Sequence, residues 1–330
     1  MTAQQMPTLL LRVPTPDGVA VAAGKIAQLL PKTPLLEASV NGTSVWFKAE
    51  SLQPVGAFKI RGAWHRLTDL SEEQRARGVV GVSSGNHAQG VAWAAKRLGI
   101  AATIVMPVDA PRTKIEATRG YGATVVLYDR PGGENRDAVA QDLIDQSGAI
   151  LVHAYGDPWV IEGQGTTGTE ITAQLAERGL AGPTRIVCPC GGGGLTAGLA
   201  LACPDAEIVP VEPEGWDDVR LSLERGEIVP VPDFKFPTQC DALQTPATWP
   251  INFAILKARV ACGYAVTAAE VRAAQRWAFA QLHLVVEPGG AAALAAVLAG
   301  KVPIDGRTAV VLSGGNTDPA DFAKVLASSD

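Results

Sequence analysis

Lys59 is the residue whose type and setting point most directly to covalent chemistry. It lies in the run "ESLQPVGAFKIRGAW" (50–64), between Phe58 and Ile60, with Gly56, Ala57, Gly62 and Ala63 close by and Arg61 as the nearest charge. An ammonium among small and apolar residues is paired, reaches water with its tip, or is held neutral by burial. A neutral amine attacks carbonyl groups, so the third case makes Lys59 a nucleophile or a base. The window alone leaves all three open.

Other groups suit an anion. "CGGGGLTAGLA" (190–200) sets Gly191, Gly192, Gly193 and Gly194 between an apolar run and a small-residue helix pattern beginning at Leu195. Backbone N–H groups can converge there on a phosphate, aided by the helix dipole. No Gly-Lys-Ser/Thr follows, so the loop is not of the Walker A kind. The spacing Gly192-x-Gly194-x-x-x-Gly198, with Glu212 ending the next strand, also fits a relaxed dinucleotide fingerprint. "SSGNHAQG" (83–90) places Ser83, Ser84, Gly85, Asn86 and His87 at a strand-to-helix turn. Free N–H groups there suit a substrate carboxylate, unless Ser84 or Asn86 simply caps the helix. Ser313, in "LSGGNTD" (312–318), is a hydroxyl at a strand end, able to bond a ring nitrogen.

The elements that must position these residues alternate. β-Branched runs occur at 78–82, 102–107, 123–128, 149–154, 184–189, 206–212 and 308–313, with helical patterns between most of them. One helix starts near Asn86, keeps Val91, Ala94, Ala95 and Leu98 on one face, and stops at Gly99. Such alternation predicts parallel sheets covered by helices, and no short repeat period is present. The Pro-rich interruption 227–250 is expected to line a site. The chain reads as two α/β domains with a cleft between them, ligands lying beyond the C-terminal strand ends. Ser83–His87, Gly191–Gly194 and Ser313–Asn316 all fall at such ends.

Composition narrows the classes. With 330 residues, 47% hydrophobic and 18% charged, the chain can bury a large core. A net charge of -5 gives no footprint for nucleic acid or an anionic membrane. No apolar run approaches the ~20 residues of a bilayer span, and the first sixteen residues show no secretory leader. A cytoplasmic protein is expected. The five cysteines form neither a CxxC pair nor a disulfide framework; Cys188 and Cys190 alternate like strand residues.

Taken in order, the lysine in "GAFKIRGA", then "SSGNHAQG", "GGGGL", "EPGGAA" and "SGGN" resemble the fold-type II pyridoxal phosphate enzymes. Within them the chain is similar to the threonine/serine dehydratase and serine racemase group, which includes 3-hydroxyaspartate dehydratases. The likeness spans about residues 30 to 318. It implies two open twisted parallel-sheet domains of the tryptophan synthase β-like kind, with the active site between them. The large cofactor-binding domain would comprise 1–65 and 156–330, and a small mobile one 66–155. Pyridoxal 5'-phosphate would be carried by Lys59 beside Phe58, its phosphate held by Gly191–Gly194 and Leu195. Asn86 would meet its phenolic oxygen and Ser313 its ring nitrogen. A nicotinamide reading leaves Lys59 and Ser313 unexplained. Ser83 to His87 would bind the substrate. A homodimer acting on a free amino acid is also implied, and feedback control by a C-terminal effector domain is not expected.

"VEPEGWDD" (211–218) resembles the divalent-cation loop of this group. It would hold Mg²⁺, or Mn²⁺ or Ca²⁺, through the Glu212 and Asp218 carboxylates and the Trp216 carbonyl; a solvated acidic turn is the plainer alternative. Ser84 matches the racemases' second proton carrier, where many threonine dehydratases have alanine. Arg136 looks like the racemase arginine near the substrate side chain and would suit an acidic substituent; otherwise it is a surface helix residue. Two departures concern substrate choice: Asp241-Ala242 stands where Asp-Gly is usual, and "HAYGDP" puts Tyr155 near cofactor and substrate. The implied reaction is β-elimination from a β-hydroxy L-amino acid to a 2-oxo acid and ammonia. The alternative is a racemase using Lys59 and Ser84 on opposite faces. A cofactor-carrying protein without turnover is disfavoured by the intact Lys59 and Ser84.

Overall fold

Two sheets organise the chain, and each is built from the β-branched runs singled out above. The computed structural model describes residues 12–232 and 236–328. Most of the segment read for a leader therefore lies outside the described residues, as do Asp233–Lys235 of the Pro-rich interruption and the last two residues.

The strands in chain order are β1 (Leu35–Val40), β2 (Thr43–Ala49), β3 (Val79–Val82), β4 (Ala102–Pro107) and β5 (Thr124–Tyr128), followed by β6 (Ile150–Val152), β7 (Arg185–Pro189), β8 (Glu207–Pro213), β9 (Tyr264–Val266) and β10 (Thr308–Leu312). One sheet has the order β5-β4-β3-β6 and is parallel throughout. The other has the order β1-β2-β10-β7-β8-β9, parallel except for the β1/β2 hairpin at its edge. The hairpin refines the all-parallel expectation. Its turn is Asn41-Gly42, both at positive φ (51° and 81°), the pairing that matches strand twist in a two-residue loop.

Helices cover both faces of each sheet. On one side of the six-stranded sheet, the helix Pro288–Leu298 buries every residue from Ala291 to Val297 against Val187, Val209 and Val310. On the other, Pro158–Ala176 and Gly194–Ala202 pack on Ile186, Cys188 and Val311. The four-stranded sheet packs Val79, Ile104 and Met106 against Asn86–Leu98, the helix anticipated from its apolar stripe, which ends at Gly99 in the left-handed conformation. Its other face meets Arg136–Ser147 through Val80, Val105 and Ala140. No helix among the described residues is long and apolar enough to cross a membrane.

Candidate active site

The loops after β3, β7 and β10 line one cleft, together with the start of the helix Lys59–Thr68. Lys59 is part-buried there, and its Nζ donates to the Ala154 carbonyl at 2.7 Å. Burial disfavours the ammonium and pulls its pKa down to about 8. Arg61 gives Lys59 no company: wholly buried, it pairs with Glu50 (2.7 Å) and Glu170 (2.8 Å). Among the described residues no carboxylate pairs with Lys59. The lysine is tied to the last strand, because the Phe58 N–H donates to the Ser313 carbonyl at 3.0 Å. Ser313, just past β10, lines the same cleft.

The glycine run forms a second wall. Among the described residues, the N–H groups of Gly191, Gly192, Gly193, Gly194 and Leu195 find no acceptor within the protein. Buried backbone donors are rarely left unpaired, and five in succession at a helix start can converge on an anion. The loop's shape is enforced from behind: Thr248 Oγ1 (3.2 Å) and Asn252 Nδ2 (2.5 Å) both donate to the Gly192 carbonyl. In front, a Cβ on Gly192 would lie 2.2 Å from the Tyr155 ring. The cradle therefore suits a phosphate-bearing cofactor, and Lys59 in the same cleft suits one with an aldehyde.

The turn after β3 is open. No side chain caps the helix Asn86–Leu98, so neither Ser84 nor Asn86 serves as its cap. Ser83 Oγ accepts from the Gly85 N–H (3.1 Å), and Ser84 lines the cleft without such a bond. His87 Nε2 meets the Val152 carbonyl at 2.8 Å, and burial pulls its pKa down to about 3, so it stays neutral. Asn86 lies in a polar chain that crosses between the sheets. Its Oδ1 accepts from Asn316 Nδ2 (2.9 Å), its Nδ2 donates to Glu287 Oε1, and Lys114 Nζ donates to Glu287 Oε2 (3.1 Å) and Asp241 Oδ2 (2.7 Å). The sequence assigns no role to Glu287 or Lys114, and Asp241 enters there only with Ala242 as a departure from the usual Asp-Gly. "EPGGAA" contains Glu287, but a carboxylate before a helix-opening proline reads as a helix start; Lys114 looks like any surface helix lysine.

Arg136 opens its helix, is half-buried and lines the cleft, and its charge opposes the rise that burial causes in the Tyr155 and Tyr128 pKa values. Tyr155 is buried against His153 (centroids 4.6 Å apart) and Trp249 (6.4 Å), and burial raises its pKa to about 12 although Arg136 opposes the shift. The Pro-rich interruption does line the cleft, through Asp241 to Thr245.

Glu212 and Asp218 lie apart from this cleft and share one buried region. The Glu212 oxygens accept from the N–H groups of Val219 (3.0 Å) and Arg220 (2.7 Å), while Asp218 Oδ2 accepts from Thr248 (2.7 Å). Burial, with their mutual repulsion, raises Glu212 well above the carboxylate range; burial first raises Asp218 to about 7. Asp218 Oδ1 is buried with no partner. Trp216 is buried beside them in sequence, its indole N–H donating to the Phe236 carbonyl (2.9 Å). No group of three acidic, His or Cys side chains among the described residues could hold a metal, so any ion here needs backbone oxygen.

Known proteins resemble this chain in sequence and fold. A serine racemase from Schizosaccharomyces pombe is 39% identical over 326 residues, covering 96% of this chain and 98% of its own length. An L-threo-3-hydroxyaspartate ammonia-lyase from Pseudomonas sp is 38% identical over 318 residues, with 93% and 97% covered. The solved structure of maize serine racemase superposes with a TM-score of 0.87 at 32% identity, covering 96% of this chain and 98% of that one. The profile of the family described as "Pyridoxal-phosphate dependent enzyme" matches residues 26–314, the stretch holding Lys59, the glycine cradle and Ser313. The chain belongs to that family.

Proposed function

We propose that the protein catalyses pyridoxal phosphate-dependent β-elimination from a β-hydroxy L-amino acid of the serine, threonine or 3-hydroxyaspartate type, releasing a 2-oxo acid and ammonia. The observation that carries this reading is Lys59, an amine with lowered pKa and no carboxylate partner, in one cleft with five unpartnered N–H groups. The cofactor supplies the sink for the electron pair left when the α-proton departs. The chain's residues do the rest. Gly191–Leu195 would hold the phosphate, and Asn86 Nδ2 would have a hydrogen to give to the phenolic oxygen. Ser313 would meet the ring nitrogen with a hydroxyl, a far weaker acid than a carboxylic acid. The uncapped helix start at Asn86 suits the substrate carboxylate. Lys59, partly neutral near pH 8, removes the α-proton. Arg136, which lines the cleft, would receive an acidic substituent. The reading includes a cytoplasmic homodimer with neither nucleic acid nor membrane as partner.

A second reading, racemisation, is favoured by Ser84, a hydroxyl in the same cleft but on the loop of the other sheet; the S. pombe relative supports it. The test is to incubate with L-serine, L-threonine and 3-hydroxyaspartate and measure 2-oxo acid and D-enantiomer. We expect 2-oxo acid from at least one of them. Ser84→Ala should abolish any D-product and keep elimination within about tenfold, since general acid–base groups contribute two to four decades only to steps they serve. No 2-oxo acid from any β-hydroxy amino acid would sink the reading.

The divalent cation, Mg²⁺ with Mn²⁺ or Ca²⁺ as alternatives, is part of the proposal, held by Glu212, Asp218 and the Trp216 carbonyl. The partnerless Asp218 Oδ1 supports it. Both carboxylates have folded pKa values above their unfolded ones, so the ion-free fold loses stability as pH rises from about 4 to Asp218's value of about 7. A dication should cancel that loss. Chelator should lower Tm by about 3 °C or more at pH 8, and less at pH 5.5, with recovery on adding Mg²⁺. A Tm unmoved by chelator at pH 8 leaves Glu212 and Asp218 as buried acceptors of backbone N–H groups and nothing more.

A further inference from the structure

We infer that Glu287 is a positioning residue: it fixes which end of the Asn86 amide is presented to the cofactor ring. The inference rests on the proposed cofactor site.

An asparagine amide can turn over, exchanging its donor for its acceptor at little cost, unless its neighbours decide. Here they do, from two sides. Asn316 Nδ2 donates to the Val55 carbonyl (2.8 Å), which can only accept, so its NH₂ end faces Asn86 and calls for Oδ1 there. Glu287 Oε1 accepts from Asn86, and Oε2 takes Lys114, so both of its oxygens act as acceptors. Turning Asn86 over would set Oδ1 against a carboxylate and NH₂ against NH₂. Asn86 is thus held as a donor, with one Nδ2 hydrogen spent on Glu287 and one left for a ligand.

The arrangement also spans the cleft. Asn86 and Lys114 belong to helices packed on the four-stranded sheet, Glu287 to the helix start that packs on the six-stranded one. Glu287 therefore receives one bond from each of two elements of the opposite sheet. Lys114 itself is buried, 4% exposed, and held by Asp241 as well. A surface lysine pair would give no such fixed geometry.

The test uses wild type, Glu287→Gln, Asn86→Ala and the double variant, each read by the visible band of bound pyridoxal phosphate and by its dissociation constant from the apoprotein. Losing one oriented hydrogen bond should weaken cofactor binding roughly two- to tenfold in each single variant and displace the band. Because Glu287 acts through Asn86, adding Glu287→Gln to Asn86→Ala should change neither readout further. Fully additive effects, or an unmoved band in Glu287→Gln, overturn the inference. Should Glu287→Gln not fold, Asn316→Asp challenges the same amide from the other side and should move the band likewise; an unmoved band there overturns it too. Wild type without a visible band would instead remove the cofactor reading itself.

Discussion

Replacing Lys59 by alanine should lower kcat by about four decades or more, since the chain loses both its carbonyl nucleophile and its base. In wild type, borohydride should fix the cofactor on the peptide carrying Lys59 and on no other lysine. The same residue should leave a mark on stability. Its folded pKa of about 8 lies below the 10.5 of an ordinary lysine, so between these values the unfolded chain binds more protons. Apoprotein stability should therefore rise as pH climbs through that window. Below it the cost of the buried ammonium is fully present. Lys59→Met should thus stabilise the apoprotein at pH 7 by at most about 3 kcal/mol, with the gain gone above the unfolded pKa. Urea unfolding at pH 7 and near 11 measures it. A variant less stable than wild type at pH 7 would mean the ammonium is well paired.

Gly192→Ala should be nearly as damaging. The added Cβ would sit 2.2 Å from a carbon of the Tyr155 ring, and that ring is wedged beside His153 and Trp249. Either the loop or the ring must move, and overpacking of this kind costs about 1–3 kcal/mol. We expect cofactor affinity to fall about 10- to 100-fold, because a displaced loop no longer converges its N–H groups. Tyr155→Ala on top of Gly192→Ala should recover part of the loss. Wild-type affinity in Gly192→Ala would mean that the cradle lies elsewhere.

Much of this was legible in the sequence, for stated physical reasons. Most of the parallel strands, such as β7, β8 and β10, are buried on both faces, so they appear as continuous β-branched runs, and all seven such runs are strands. The β1/β2 hairpin lacks that look because it lies at the edge, with Glu37 and Ser39 facing outward; the Asn41-Gly42 pair was its signal. β9, only three residues long, has no period to detect. The candidate site followed the same division. Lysine and glycine announce themselves by being costly where they stand. Thr248 and Asn252, which hold the Gly192 carbonyl, are ordinary polar residues some 56 and 60 positions away, and only folding brings them there. Glu287 and Lys114 are hidden in the same way.

The pairing of β2 with β10 has a consequence for how the chain comes off the ribosome. Trp46 lies opposite Ala309, so the middle of the six-stranded sheet cannot form until nearly the whole chain has been made. The four-stranded sheet needs only residues 79 to 152 for its ladders and can assemble while the rest is still being synthesised. Until β10 arrives, β2 and β7 wait with an open edge each, the kind of surface that templates aggregation. Slow synthesis of the last third, or loss of chaperone, should therefore fall on the larger sheet first.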